Sequence, residues 1–190
     1  MWLMLLACSS RDKVPIFTEG GCDGCAASRY TTVESVIDGD TVQFSGDEET
    51  TRLLGVDTPE VYTDGAPADC YGLDASDFTK RRLPAGLVVE LQYDVDTTDV
   101  VGRNLAYVVY WPDMEDEDLD DIEDMDAGEL EDAFGDPVML NIELLERGYA
   151  RIPDDDDYIS GLRYEESLRA AEQRAIESGA GLWGECEEQG

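Results

Sequence analysis

Hydrophobic and polar positions alternate in five short segments between residues 30 and 110, the spacing of strands with one buried face. The predicted strands cover residues 32–37, 41–45, 50–54, 87–93 and 103–110. A polar turn at residues 46–49 joins the second strand to the third. A longer polar stretch, residues 94–102, joins the last two.

Three other segments repeat their apolar positions with the helical period. The predicted helices cover residues 73–82, 139–147 and 159–178. Pro84 follows the first, and Gly148 and Gly179 follow the other two, as is common at helix ends. Five strands with three helices predict an α+β fold, an OB-type barrel that carries the helices.

The organisation of the chain follows from its length and composition. With 190 residues and 42% apolar content, one domain with a modest core is expected, and it covers residues 30–186. Residues 113–136 form an acidic insertion that also contains Met125, Leu130 and Phe134. Such a run predicts a solvated loop, with a Ca²⁺-binding or partner surface as the alternative. It lacks the spacing of an EF-hand.

The first eight residues are apolar and end in a small residue and Cys8. This run is too short to span a bilayer. It resembles a bacterial lipobox, so we expect Cys8 to be lipid-modified and the protein to be exported, either anchored to the cell envelope by that lipid alone or extracellular. The alternative is an apolar tag. Residues 9–29 mix serine, glycine, proline and charge and predict a tether.

The net charge is extreme, at −33 from 46 acidic and 13 basic residues. Such self-repulsion destabilises a compact chain at low ionic strength, whereas in molar salt the screening length falls to roughly 3 Å. The charge therefore predicts a salty habitat. No histidine is present, so acid or base chemistry must use carboxylate, arginine, tyrosine or water.

Besides Cys8, the chain contains Cys22, Cys25, Cys70 and Cys186. Four cysteines without histidine could bind zinc as thiolates, but in an exported chain they more naturally form two disulfides. Of the three possible connectivities we favour Cys70 with Cys186, because one precedes the first predicted helix and the other follows the last. That choice pairs Cys22 with Cys25.

Candidate chemistry is concentrated in residues 36–42 (VIDGDTV) and 52–60 (RLLGVDTPE). Each segment on its own predicts an ordinary turn, because Asp, Gly and Pro favour turns. Together they offer Asp40, Asp57 and Glu60 beside Arg52. Two aspartates with a backbone carbonyl suit Ca²⁺. The planar fork of Arg52 suits a phosphate.

A third segment, residues 99–107 (DVVGRNLAY), adds Arg103 in front of an apolar strand. The three segments in this order resemble the thermonuclease family, the staphylococcal-nuclease-like phosphodiesterases. Residues 70–80, 148–151 and 179–183 resemble further blocks of that family, so the resemblance extends from about residue 31 to residue 183.

The resemblance implies Ca²⁺-dependent, sugar-non-specific cleavage of DNA or RNA by a monomer. Asp40, Asp57 and the carbonyl of Thr58 would bind Ca²⁺. Arg52 and Arg103 would bind the phosphate, and Glu60 would orient the attacking water or accept its proton. Asp38, the first aspartate of its pair, is expected to have only a turn role. Arg81 and Arg82 are expected to be structural, because cations favour the end of a helix.

The chain also departs from that family. Val100 and Val101 replace a lysine and a tyrosine, and residues 61–69 contain no base. After Ile152, where a nucleotide-stacking tyrosine is expected, four aspartates precede Tyr158. These departures predict that the catalytic residues are retained while substrate binding is weakened. Two alternatives remain, a catalytically silent OB-type nucleic-acid-binding module and an acidic, Ca²⁺-responsive surface protein.

Overall fold

The computed structural model describes residues 28–61, 65, 67–112, 114, 125, 127–154 and 159–186. The strands are β1 (Ser28–Val36), β2 (Thr41–Phe44), β3 (Thr51–Leu53), β4 (Val88–Gln92), β5 (Asn104–Tyr110) and β6 (Val138–Met139). The helices are α1 (Gly72–Arg82), α2 (Ala127–Phe134), α3 (Leu140–Glu146), α4 (Glu165–Ser178) and α5 (Leu182–Glu185). None of these helices is long and apolar enough to cross a membrane.

Strands β1 to β5 close into a mixed barrel. The pairs β1–β2, β2–β3, β1–β4 and β4–β5 are antiparallel, and a parallel pairing of β3 with β5 closes the ring. The short β6 adds to β5 outside the ring. The predicted α+β fold with a five-stranded barrel is therefore confirmed.

Two predicted boundaries differ from the structure by more than one residue. β1 begins at Ser28, because Ser28 and Arg29 pair with β4, so the predicted tether overlaps the barrel by two residues. The helix predicted over 159–178 begins only at Glu165, after a turn in which Gly161 has a positive φ of 86°. Cys8, Cys22 and Cys25 lie outside the described residues.

The acidic insertion is not only a solvated loop. Its C-terminal part forms α2, and Leu130 of this helix is fully buried in the core cluster, with Met125 and Phe134 packed against that cluster. The prediction of a loop was wrong for this part, because three apolar residues are enough to dock a short helix. The most acidic part of the insertion, within residues 115–124, lies outside the described residues.

Leu130→Ala tests this docking. Truncating a fully buried leucine removes its transfer free energy and leaves a cavity, so the free energy of unfolding should fall by about 2–3 kcal/mol in urea denaturation. Asp132→Ala on the exposed side of the same helix is the matched control and should change it by less than about 0.5 kcal/mol. Equal values for the two variants would mean that α2 does not pack on the core in solution.

Candidate active site

Asp40 is the buried centre of the site. It lies at the start of β2 with only 1% of its surface exposed. Its Oδ2 accepts hydrogen bonds from the main-chain N–H of Thr58 at 2.6 Å and from the Thr58 hydroxyl at 3.0 Å. Asp38 Oδ1 accepts the N–H of Asp40 at 3.1 Å, which is the turn role expected for Asp38. These contacts fix the Asp40 carboxylate against the turn that carries Thr58.

The turn before Asp40 requires a glycine. A Cβ on Gly39 would lie 2.6 Å from Thr58 Oγ1, so any side chain would push the two segments apart. The Gly39 carbonyl accepts a hydrogen bond from the Thr79 hydroxyl in α1 at 2.6 Å. Thr79 thus helps to place the Asp40 segment, and nothing in its local sequence indicates this role.

Arg52 connects the two aspartates of the site. It lies in the middle of β3, with its Nη1 2.6 Å from Asp40 Oδ1 and its Nη2 paired with Asp57. Burial lowers the pKa of Arg52, but the charges of Asp40 and Asp57 outweigh burial and raise it, so the guanidinium stays protonated. One cation therefore holds two carboxylates in neighbouring positions.

Asp57 differs from Asp40 in exposure, because its side chain is about half exposed. Its main chain forms an isolated antiparallel bridge with Arg151, with N–H to O distances of 2.8 and 2.9 Å. The guanidinium of Arg151 in turn lies 5.0 Å from the centre of the Trp183 ring. The bridge ties the exposed aspartate to the C-terminal part of the chain.

The site carries more negative charge than Arg52 offsets. Burial, with a smaller contribution from nearby Asp38, raises the pKa of Asp40 to about 7 against the lowering effects of Arg52 and Thr58. Within the described ranges no three acidic or cysteine side chains form a metal-binding group. The ligand set expected from the sequence has two carboxylates and a main-chain carbonyl. Excess negative charge and oxygen donors fit a hard divalent cation.

Arg103 lies beside β3 at the start of β5. The parallel register pairs Arg52 with Leu105, two residues after Arg103. The Arg103 Nε–H donates to Asp99 Oδ2 at 2.6 Å, and the main-chain N–H of Arg103 donates to Asp99 Oδ1 at 2.9 Å. Burial raises the pKa of Asp99, but hydrogen bonds from Arg103 and Val101 outweigh it, so the pKa is lowered. Asp99 thus stays ionised and orients the guanidinium.

Glu60 follows the turn that carries Asp57 and Thr58, and its side chain is exposed. The structure brings Asp40, Arg52, Asp57 and Thr58 into direct contact, with Glu60 and Arg103 on the adjoining segments.

Asp99 was missed as a site residue by reasoning from the sequence, although its position four residues before Arg103 in a glycine-containing turn was an available signal. By contrast, Arg82 is bound by Glu143 at 2.8 and 3.1 Å, in keeping with the structural role expected for it.

The cysteines give a further observation. Cys70 and Cys186 form a disulfide with an S–S distance of 2.05 Å, the pairing favoured from the sequence. Both sulfurs are bonded to each other, which removes them as zinc ligands. A disulfide is typical of proteins from oxidising compartments such as the cell exterior.

Comparison with known proteins agrees with this geometry. Residues 50–185 match a family model described as staphylococcal nuclease homologue. The chain belongs to this family. The matched range contains Arg52, Asp57, Thr58, Glu60 and Arg103, whereas Asp40 precedes it.

Individual members of the staphylococcal nuclease family are also similar to this chain. It is 32% identical to a thermonuclease of Staphylococcus hyicus over 169 residues, which covers 88% of this chain and 82% of that protein. It is 47% identical over 78 residues to a thermonuclease of Staphylococcus intermedius, covering 40% of this chain and 46% of that protein. It is 40% identical over 80 residues to endonuclease YncB of Bacillus subtilis, covering 40% of this chain and 37% of that protein.

Proposed function

We propose that this protein is a nuclease that hydrolyses phosphodiester bonds of DNA or RNA with Ca²⁺ as cofactor. The observation that carries the proposal is the pair of carboxylates, Asp40 and Asp57, held on the two ends of one guanidinium, Arg52. Relatives named thermonuclease and endonuclease support it. A binding module that only held nucleic acid would have no need for two carboxylates at the phosphate site.

Asp40, Asp57 and the main-chain carbonyl of Thr58 would bind the Ca²⁺ ion. When bound, the cation neutralises negative charge on the phosphate, which lets an anionic nucleophile approach. The two hydrogen bonds from Thr58 to Asp40 keep the Thr58 main chain beside the buried carboxylate. This contact supports Asp40 and Thr58 as members of one ligand set.

The arginines bind the phosphodiester and stabilise the charge that its oxygens gain in the transition state. Arg52 is paired with two aspartates, and Arg103 is oriented by Asp99 from the turn before β5. Glu60 supplies an exposed carboxylate that orients the attacking water or accepts its proton. Its backbone follows directly on the turn that carries two of the proposed ligands, which supports a role for Glu60 beside the phosphate.

Substrate affinity rests on few contacts. Lys and Arg number 13 in the whole chain, and the valines at positions 100 and 101 beside Arg103 are exposed and uncharged. Affinity for nucleic acid comes mainly from cations that displace counterions. We therefore infer a weakly binding enzyme adapted to salt. From the lipobox-like run that ends at Cys8, we also propose that it is exported as a monomer and anchored through a lipid on Cys8.

Hydrolysis assays on the full-length protein test the proposed function. Single-stranded DNA, duplex DNA and RNA should be cleaved in Ca²⁺ and not in chelator. Two phosphate contacts limit the loss of single-strand affinity to about 25-fold for a tenfold rise in salt, and screening of the acidic surface opposes that loss. We expect KM to change by less than about tenfold between 0.1 and 1 M salt.

Absence of cleavage by folded protein under all of these conditions would overturn the proposal. Binding of nucleic acid without cleavage would then identify a catalytically silent binding module. Ca²⁺ binding without affinity for nucleic acid would identify an acidic surface protein. Cleavage with a steep loss of affinity in salt would keep the nuclease and contradict only the inferred salt adaptation.

A further inference from the structure

The main chain of Glu60 is held by a turn nine residues further along the chain. The N–H of Asp69 donates to the Glu60 carbonyl at 2.9 Å, and the N–H of Glu60 donates more weakly to Asp69 Oδ2 at 3.4 Å. Both polar groups of the Glu60 main chain are therefore bound by one residue. Because these bonds fix the main chain, they also fix the direction in which the Glu60 side chain leaves it.

Gly72 brings the same turn into direct contact with Glu60. A Cβ on Gly72 would lie 2.6 Å from the Glu60 carbonyl oxygen and 2.9 Å from that of Pro59. The N–H of Gly72 donates to the carbonyl of Asp69 at 3.0 Å, which closes the turn at the start of α1. Residues 69–72, which we call the clamp turn, thus pack on the main chain at Glu60 with no space between them.

The clamp turn contains a strained residue. Tyr71 has φ 71°, the one positive φ at a non-glycine position in the described part of the chain. A bulky side chain in this conformation persists only where the surroundings impose it. Two contacts constrain Tyr71 in this conformation. Its ring lies 5.5 Å from the ring of Tyr149, and the neighbouring Cys70 is bonded to Cys186.

The other end of the disulfide is anchored firmly. Cys186 follows α5, whose Leu182 is buried and donates its N–H to the carbonyl of Gly148 at 2.9 Å. The N–H of Cys186 itself donates to the carbonyl of Leu182 at 3.1 Å. The disulfide therefore ties the clamp turn to a fixed part of the fold across a sequence separation of 116 residues.

We propose that the Cys70–Cys186 disulfide is a positioning device for Glu60. It holds the clamp turn in its strained conformation, and the clamp turn holds the Glu60 carboxylate at the angle that hydrolysis requires. This inference rests on the proposed function, which gives Glu60 its role with the attacking water. The disulfide acts on the turnover step and leaves phosphate binding by Arg52 and Arg103 unchanged.

A double-mutant cycle on the full-length chain tests the inference. Cys70→Ser/Cys186→Ser, which leaves neither partner as a free thiol, should lower kcat about ten- to hundredfold, because a displacement of about 1 Å can cost that much. KM for single-stranded DNA should stay within about threefold. In a Glu60→Gln background the same two substitutions should lower kcat no further. All assays are run in Ca²⁺ at a temperature where circular dichroism shows each variant fully folded.

A second variant separates positioning from stability. Gly72→Ala keeps the disulfide but places a methyl group against the Glu60 carbonyl, so it should also lower kcat at unchanged KM. Gly46→Ala is the control for lost stability, because its φ of 81° disfavours alanine while a Cβ there meets nothing within 4 Å, in the hairpin between β2 and β3. Its kcat should equal that of the wild type.

The outcomes distinguish the two proposals. A fall in kcat for Glu60→Gln but not for the cysteine variant overturns the positioning role and leaves the nuclease mechanism intact. An equal fall for the cysteine variant in both backgrounds also overturns it, because the effect would then not pass through Glu60. Full kcat in Glu60→Gln removes Glu60 from the proposed mechanism and the inference with it.

Discussion

Arg103→Gln is expected to lower kcat about a hundredfold or more while the free energy of unfolding changes by less than about 1 kcal/mol. The loss of turnover follows from removing a charged donor at the phosphate. The small effect on stability follows from exposure, because 37% of the Arg103 side chain is accessible and, among the described residues, its ion pair is with Asp99 in the same turn. Activity and stability should therefore separate at this residue.

Steady-state kinetics in Ca²⁺ together with urea denaturation measure the two effects. Arg169→Gln is the matched control, since Arg169 also pairs through Nε with a carboxylate four residues earlier and is 44% exposed. It should change neither kcat nor stability appreciably. A comparable loss of turnover in both variants would mean that net charge, and not the position of Arg103, governs the rate. A large loss of stability in Arg103→Gln would make the residue structural.

Asp40→Asn should lower kcat about a thousandfold and yet stabilise the protein in the absence of Ca²⁺. The neutral amide lacks the negative charge that would bind the cation, which explains the expected fall in kcat. The free energy of unfolding should rise because burial of the charged Asp40 carboxylate is unfavourable in the wild type. Burial raises its pKa from an unfolded value of 3.8 to about 7, so the folded state favours the neutral form.

The sign of the pH dependence follows from that shift. A carboxyl whose folded pKa is raised binds its proton more tightly when folded, so the contribution of Asp40 to wild-type stability falls as pH rises from about 4 to about 7 and is level above that. The Asp40→Asn variant has no carboxyl at this position, so it does not undergo this fall in stability. Since Arg52 also loses a partner, we expect a net gain of roughly 1–3 kcal/mol at pH 8 and little or none at pH 4.

Chemical denaturation in chelator at pH 4, 6 and 8 measures this difference. Asp38→Asn is the control, because the side-chain carbonyl of asparagine can still accept the N–H of residue 40 and keep the turn. It should retain most of the turnover. Lower stability of Asp40→Asn at all three pH values would show that the ion pair with Arg52 stabilises the fold more than burial of the charge destabilises it.

Together the two variants separate the parts of the site. Arg103 tests phosphate binding without touching the buried charges, and Asp40 tests the charge that a cation would balance. A site built for catalysis keeps a destabilising carboxylate because its function requires it. Loss of turnover with gain of stability in Asp40→Asn would show that trade directly.

Local patterns were sufficient for the barrel strands. Alternation along a strand depends on neighbouring residues, so β2 was predicted to within one residue, at 41–45 against the observed Thr41–Phe44. The same holds for β5, predicted at 103–110 and observed at Asn104–Tyr110. The helix α2 was missed because it has few apolar residues among many acidic ones. Whether those residues are buried depends on the core against which they pack.

The sequence by itself determined the strand pattern, the residue types of the site and the favoured cysteine pair, because these depend on spacing and composition along the chain. Tertiary structure alone decided that Asp40 is buried on Thr58, 18 residues away, and that the Thr79 hydroxyl binds the Gly39 carbonyl across 40 residues. Such contacts depend on which segments the closed barrel brings together. A pattern read along one segment carries no record of the segment that will pack against it.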